Sequence, residues 1–136
     1  MHKFFFFYTI FIFSFINSTG ILESKTKFFE GQGVEISILN KLTTKNYVLI
    51  SPLSQEIDIG NRKLIIYKCI YRNKEKSYSQ LALIKFFSNG YKNNNFIGWL
   101  FNDSPSLSEL EDPVFDLRLN QCLDDDPIFP NLSEAK

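Results

Sequence analysis

Histidine is nearly missing from this sequence: the only one, His2, falls at the very front. If that front is removed as an export signal, none remains. The usual general base of a serine or cysteine hydrolase then goes, along with the commonest transition-metal ligand. Cysteine is scarce too. Cys69 and Cys122 are too far apart for a CxxC redox pair and too few for a zinc site. Six glycines are spread along the chain without forming a phosphate-cradling loop. Net charge is absent as well, with 15 basic residues against 15 acidic ones, so there is no field to gather nucleic acid or a charged membrane surface. No cofactor, metal or nucleic-acid partner is expected.

What is abundant is narrow. Phe, Ile, Lys, Asn and Tyr fill 60 of 136 positions while alanine fills two, the imprint of an AT-rich genome. Lysine, asparagine and phenylalanine clusters therefore carry less meaning than usual. The length is that of one domain.

The first twenty residues have the three parts of an export signal. His2 and Lys3 form a short basic start, and residues 4–16 are apolar apart from Thr9 and Ser14. Ser18 and Gly20 then stand at the −3 and −1 positions of a cut between Gly20 and Ile21. The run is short for a membrane anchor, which needs about 20 apolar residues; retention as an uncleaved anchor is the alternative. Cleavage leaves an exported, soluble chain of 116 residues, with no stable membrane span. In that compartment an even pair of cysteines suggests a Cys69–Cys122 disulfide, with two buried free thiols as the alternative.

Residues 21–33 fit either a short docking helix, on the spacing of Ile21, Leu22, Lys25, Phe28 and Phe29, or a flexible lead-in. From Val34 the pattern becomes that of strands, over residues 34–39, 47–50, 55–59, 62–72, 81–87, 96–101 and 114–122. In the 62–72 strand Leu64, Ile66 and Ile70 share one side, and Ile65, Tyr67, Cys69 and Tyr71 the other. Neither side is polar, which places it inside a sheet. Gly60-Asn61 signals a turn; residues 73–77 read as a solvated loop and 88–95 as a long turn. Ser106-Leu107-Ser108-Glu109 has the capping-box pattern of a short helix over residues 106–111, stopped by Pro113. In the last strand Phe115, Leu117 and Leu119 face one way, and Asp116, Arg118 and Asn120 the other. Cys122 shares the parity of the polar side, so a disulfide there caps an edge. Residues 123–136 read as a loose acidic tail. The fold class is all-β, a compact barrel or sandwich of about six to eight short strands.

Gly98-Trp99-Leu100-Phe101, Ser104-Pro105, Leu110-Glu111 and Pro113-Val114-Phe115-Asp116, closing on Cys122, resemble the signature of a family of exported, mainly alphaproteobacterial proteins, Domain of Unknown Function 2155. Leu39-Asn40-Lys41-Leu42-Thr43 and residues 64–69 are similar to its earlier blocks. The resemblance implies lineage and compartment but no reaction. The family often has histidine where this chain has Asp112, and an aromatic residue where it has Arg118.

Carboxylates are the remaining candidates for chemistry. Asp103, Glu109, Glu111, Asp112 and Asp116 crowd one stretch, and a hydrolase needs two such groups about 5 to 9.5 Å apart. A cap explains Glu109, a turn explains Asp103, and a following proline explains Asp112. Glu111 and Asp116 are left as the acid–base pair to test. Asp124, Asp125 and Asp126 lack the spacing of a calcium loop. Trp99 and Phe101 share a parity with Ile97 that reads as core, although with Phe96 and Phe115 they also offer an aromatic surface. The expected binding element is the loop over residues 102–113, through Asn102, Asp103, Ser104, Glu111 and Asp112. The expected role is non-catalytic binding of an envelope protein or another envelope component. A carboxylate-dependent hydrolase and an anchored accessory protein are the alternatives.

Overall fold

The computed structural model describes residue 20 and residues 27–72, 79–88 and 95–136. Residues 1–19 of the expected export signal, residues 21–26, the expected 73–77 loop and most of the expected 88–95 turn lie outside the described residues. Nine strands form among those described: Phe29–Glu30 (β1), Gly33–Asn40 (β2), Asn46–Pro52 (β3), Glu56–Ile59 (β4), Arg62–Tyr71 (β5), Gln80–Ser88 (β6), Phe96–Phe101 (β7), Phe115–Leu123 (β8) and Asn131–Glu134 (β9). They make two antiparallel sheets packed as a sandwich. Sheet A runs β1-β5-β6-β7, with β4 also paired to β5; sheet B runs β8-β2-β3-β9.

Local chemistry sets the turns. Asn40 Oδ1 accepts from the amides of Leu42 and Thr43 at 3.0 and 3.2 Å, an Asx turn that folds β2 onto β3. Gly60 takes φ +58° between β4 and β5, which a two-residue hairpin requires and a glycine supplies without strain. Between the sheets lie Val34, Ile36, Ile38 and Leu49 from sheet B against Leu64, Ile66, Ile84 and Phe86 from sheet A, all buried. The Phe86 and Phe115 rings meet edge to face at 6.3 Å, the arrangement their quadrupoles prefer.

Two bulges correct the expected parities. Ile66 pairs with Ile84 and Lys68 with Leu83, which leaves Tyr67 as an extra residue in β5. Glu35 pairs with Gln121 and Ile36 with Leu119, which leaves Asn120 extra in β8. An extra residue turns every later side chain to the opposite face. Cys69 and Tyr71 thereby join Leu64 and Ile66 in the core, and Cys122 joins Phe115, Leu117 and Leu119. The Cys69–Cys122 disulfide is formed, with the two residues only 1% and 0% exposed. It ties sheet A to sheet B through the core instead of capping an edge.

Three further expectations change. The helix over residues 106–111 is a single 3-10 turn, Pro105–Leu107, with no side-chain cap. Pro105 starts it, and Ser108 is already extended at ψ 128°, so no turn remains for Glu109 to cap. Residues 123–136 are not a loose tail: β9 pairs with β3 and extends sheet B. Where either a helix or a lead-in was open before β2, Phe29–Glu30 pairs with β5. The chain then crosses from sheet A to sheet B beside the disulfide. There the Gly31 amide donates to Cys69 O and the Gln32 amide to Leu123 O, each at 2.7 Å. A Cβ on Gly31 would stand 3.0 Å from both Cys122 Cβ and Leu123 O. Gly31→Ala is therefore expected to cost about 1–3 kcal/mol through overpacking, read as a lower urea midpoint at unchanged slope.

Candidate functional site

The loop over residues 102–113 leaves sheet A beside Leu81, the partner of Phe101, and reaches Arg62 at the opposite end of the sheet. Most of its expected binding groups are occupied. Asn102 Oδ1 accepts from the Gln80 amide at 2.8 Å, while its own amide donates to Gln80 O at 3.2 Å. This closes the β6–β7 ladder. Asp103 Oδ2 accepts from Ser79 Oγ at 2.5 Å. Ser104 O accepts from the Leu107 amide at 3.0 Å and begins the 3-10 turn.

Asp112 is only 7% exposed. Its Oδ2 accepts from Arg62 Nε at 2.8 Å, and its Oδ1 from the amides of Val114 and Phe115 at 2.8 and 2.9 Å. Burial works to raise its pKa, but Arg62 and the two amides outweigh that and hold the carboxyl below its ordinary value. Asp112 is a latch that fixes the loop, not an exposed ligand-binding group.

Glu111 and Asp116 are not brought together. Glu111 is exposed beside a small hollow of 150 Å³ with Phe86, Phe96 and Leu110. Asp116 lies on the outer face of sheet B, in a different hollow, with its Oδ2 3.3 Å from Arg118 Nε. An acid–base pair needs both carboxyls on one substrate bond, and this placement does not supply that. Among the described residues no group of three or more His, Cys, Asp or Glu side chains could hold a metal ion.

Ile97, Trp99 and Phe101 share one face of β7, but it is the outer face and not the core face expected. Phe96 and Leu100 turn inward, while Ile97, Trp99 and Phe101 turn out, with Ile97 64% exposed. Pairing assembles three rows on the outer face of sheet A: Ile70–Leu81–Phe101, Lys68–Leu83–Trp99 and Ile65–Lys85–Ile97. Seven of these nine side chains are apolar, which is unusual for a face that meets water. Trp99 stands at the end of the middle row, on a strand paired on one side with β6. Lys85 lies 4.7 Å from the Phe87 ring centroid, and no carboxylate among the described residues reaches it. Lys85 is the residue that marks which face of this sheet meets water. In residues 81–87 it shares the parity of Leu81, Leu83 and Phe87, so that parity faces water and Ile97 beside it does too.

Among the described residues no helix is long and apolar enough to cross a membrane. No curated protein and no solved structure matches this chain. A family described as uncharacterized protein conserved in bacteria (DUF2155) matches residues 34–122, a span running from the start of β2 to the end of β8. With well over half of its 136 residues inside that match, the chain belongs to the DUF2155 family of uncharacterized bacterial proteins.

Proposed function

We propose that this chain is an exported, non-catalytic binding module of the bacterial envelope, and that it holds a partner protein on the outer face of sheet A. Support for export comes from the basic-apolar-small pattern of residues 1–20 and from the paired cysteines. The observation that carries the binding reading is the set of three mainly apolar rows around Trp99, with Ile97 projecting from β7. Large aromatic and aliphatic anchors on a rigid sheet are the usual centre of an interface. The exposed Lys68 is paired with Glu30 at 3.8 Å, whereas no carboxylate among the described residues reaches Lys85, which leaves one uncompensated positive charge on this face. The occupant is therefore a protein surface that is apolar at its centre and carries an aspartate or glutamate opposite Lys85. The Pro105–Leu107 turn packs against β7 and borders the face, with Leu107 exposed.

A photo-crosslinking residue placed at Ile97 in the cell is expected to capture one specific protein, whereas the same residue at Asn120 on sheet B is not. Trp99→Ala is expected to weaken that complex by at least about tenfold with little change in stability, since Trp99 lies outside the core. Equal capture from both positions, or an unchanged complex in Trp99→Ala, would remove the assignment to sheet A. Intact mass of the exported protein tests the cut after Gly20.

A further inference from the structure

The outer face of sheet B carries a second, chemically different hollow. Its volume is 530 Å³, lined by Ser37, Leu39, Asn46, Asp116, Arg118, Asn120 and Ala135. It crosses three strands in register, since Asp116 pairs with Leu39 and Leu39 with Asn46. A ligand of that shape lies along the sheet instead of entering a hole. The size is that of a ligand site.

The lining is preorganised. Ser37 Oγ donates to Asn120 Oδ1 at 2.9 Å, and Asn120 Nδ2 donates to Glu35 Oε1 at 3.0 Å. Gln121 Nε2 donates to Glu35 Oε2 at 2.9 Å. The β8 bulge makes this possible, because it sets both Asn120 and Gln121 against the single residue Glu35. Arg118 Nε rests 3.3 Å from Asp116 Oδ2, so the only cation and the only carboxylate lining the hollow offset each other.

These groups select a ligand class. With Arg118 beside Asp116, and Glu35 close behind Asn120, an anion such as phosphate gains little. A single lining carboxylate is too few for a hard divalent cation, which takes six or more oxygens. What remains is a dense set of neutral and paired donors and acceptors: two amides, a hydroxyl, a guanidinium and a carboxylate. Asn46, Asp116 and Arg118 each carry adjacent polar atoms at the spacing that neighbouring sugar hydroxyls match, and Asn120, held between Ser37 and Glu35, keeps one N–H and one lone pair to spare. Leu39 and Ala135 supply apolar ground for the C–H face of a pyranose ring. We infer that the outer face of sheet B is a binding site for a neutral sugar chain. Asp116 is the only carboxylate among the lining residues, so the site binds the chain without hydrolysing it, a cut that would need two. This inference is independent of the protein partner on sheet A.

The test is an amide NMR titration of the purified full chain with neutral tetrasaccharides: cellotetraose, maltotetraose and tetra-N-acetylchitotetraose. At least one is expected to give saturable shifts at Ser37, Asn46, Arg118 and Asn120, with the sugar recovered intact. Asn120→Ala and Arg118→Ala are each expected to weaken binding about tenfold through lost hydrogen bonds, while Trp99→Ala leaves it unchanged. The inference is overturned by an absence of saturable shifts on sheet B with all three sugars, by shifts that map to sheet A, or by cleavage of the sugar.

Discussion

Replacing Cys69 and Cys122 together by alanine is expected to lower the stability of the fold by about 4 kcal/mol on the chain-entropy account. The two residues are 53 apart in sequence, so the bond closes a long loop in the unfolded chain. The site makes the number a floor. Both residues are buried, and the double alanine also leaves a void where two sulfurs packed. Burial sets the second part of the prediction. A reductant has no route to the sulfurs of a native molecule, so reduction is expected to proceed at the rate of global unfolding and to accelerate with urea. Urea unfolding of the native, reduced and double-alanine proteins checks the stability, and thiol labelling over time checks the route. Rapid reduction in native buffer would place the disulfide at an exposed edge. That is where uninterrupted strand parity would put it.

That contrast shows what a period-2 pattern conveys. Strand patterning located seven of the nine described strands, by clean alternation along β2, β4 and β8 and by short apolar runs bounded by turn residues elsewhere. It did not locate β1 or β9. β1 is two residues long, and the four residues of β9 are all exposed, so neither has a buried face to leave a pattern. Alternation also missed both bulges. Nothing in Tyr67 or Asn120 marks an extra residue, since neither is a glycine and neither strand breaks its run. The correction comes from the partner strands, whose core residues Ala82 and Val34 require Cys69 and Cys122 opposite them. Register is a property of a pair, and a single strand does not carry it.

The candidate sites divide along the same line. The loop over residues 102–113 was legible as a pinned connection, but not the use to which its polar groups are put. Asn102 and Asp112 look like ligand-binding residues until Gln80 and Arg62, distant in sequence, arrive to take their hydrogen bonds. Trp99 looked like core because nothing in six residues tells one apolar face from the other. The hollow on sheet B was invisible, for its residues come from three strands and the stretch after β9. Only the Asp116, Arg118 and Asn120 side of β8 could be read ahead as a polar face.

Arg62→Met is expected to cost about 3–5 kcal/mol, because it leaves the Asp112 carboxylate buried without its cation. Asp112→Asn is expected to cost less. An asparagine Oδ1 can still accept from the Val114 and Phe115 amides, so the loop end stays capped while Arg62 alone loses its charge partner. Arg62→Met combined with Asp112→Asn removes both charges and keeps that acceptor, and it is expected to be more stable than Arg62→Met alone. The lysine at position 41 does not change this order, since Lys41 Nζ donates to the Asp112 backbone O at 2.6 Å and keeps that bond in every variant. The same latch sets a pH dependence. With the folded carboxyl held below its ordinary value of 3.8, its contribution is complete above that value and drains away as pH falls through the folded pKa. Stability measured by urea unfolding should therefore decline below about pH 4 more steeply in the native protein than in Asp112→Asn. If the two acid limbs run parallel, other carboxylates drive acid unfolding and the latch does not. If Arg62→Met costs no more than a surface substitution, the pair is solvated in solution, and the loop over residues 102–113 is held by Leu110 against the core.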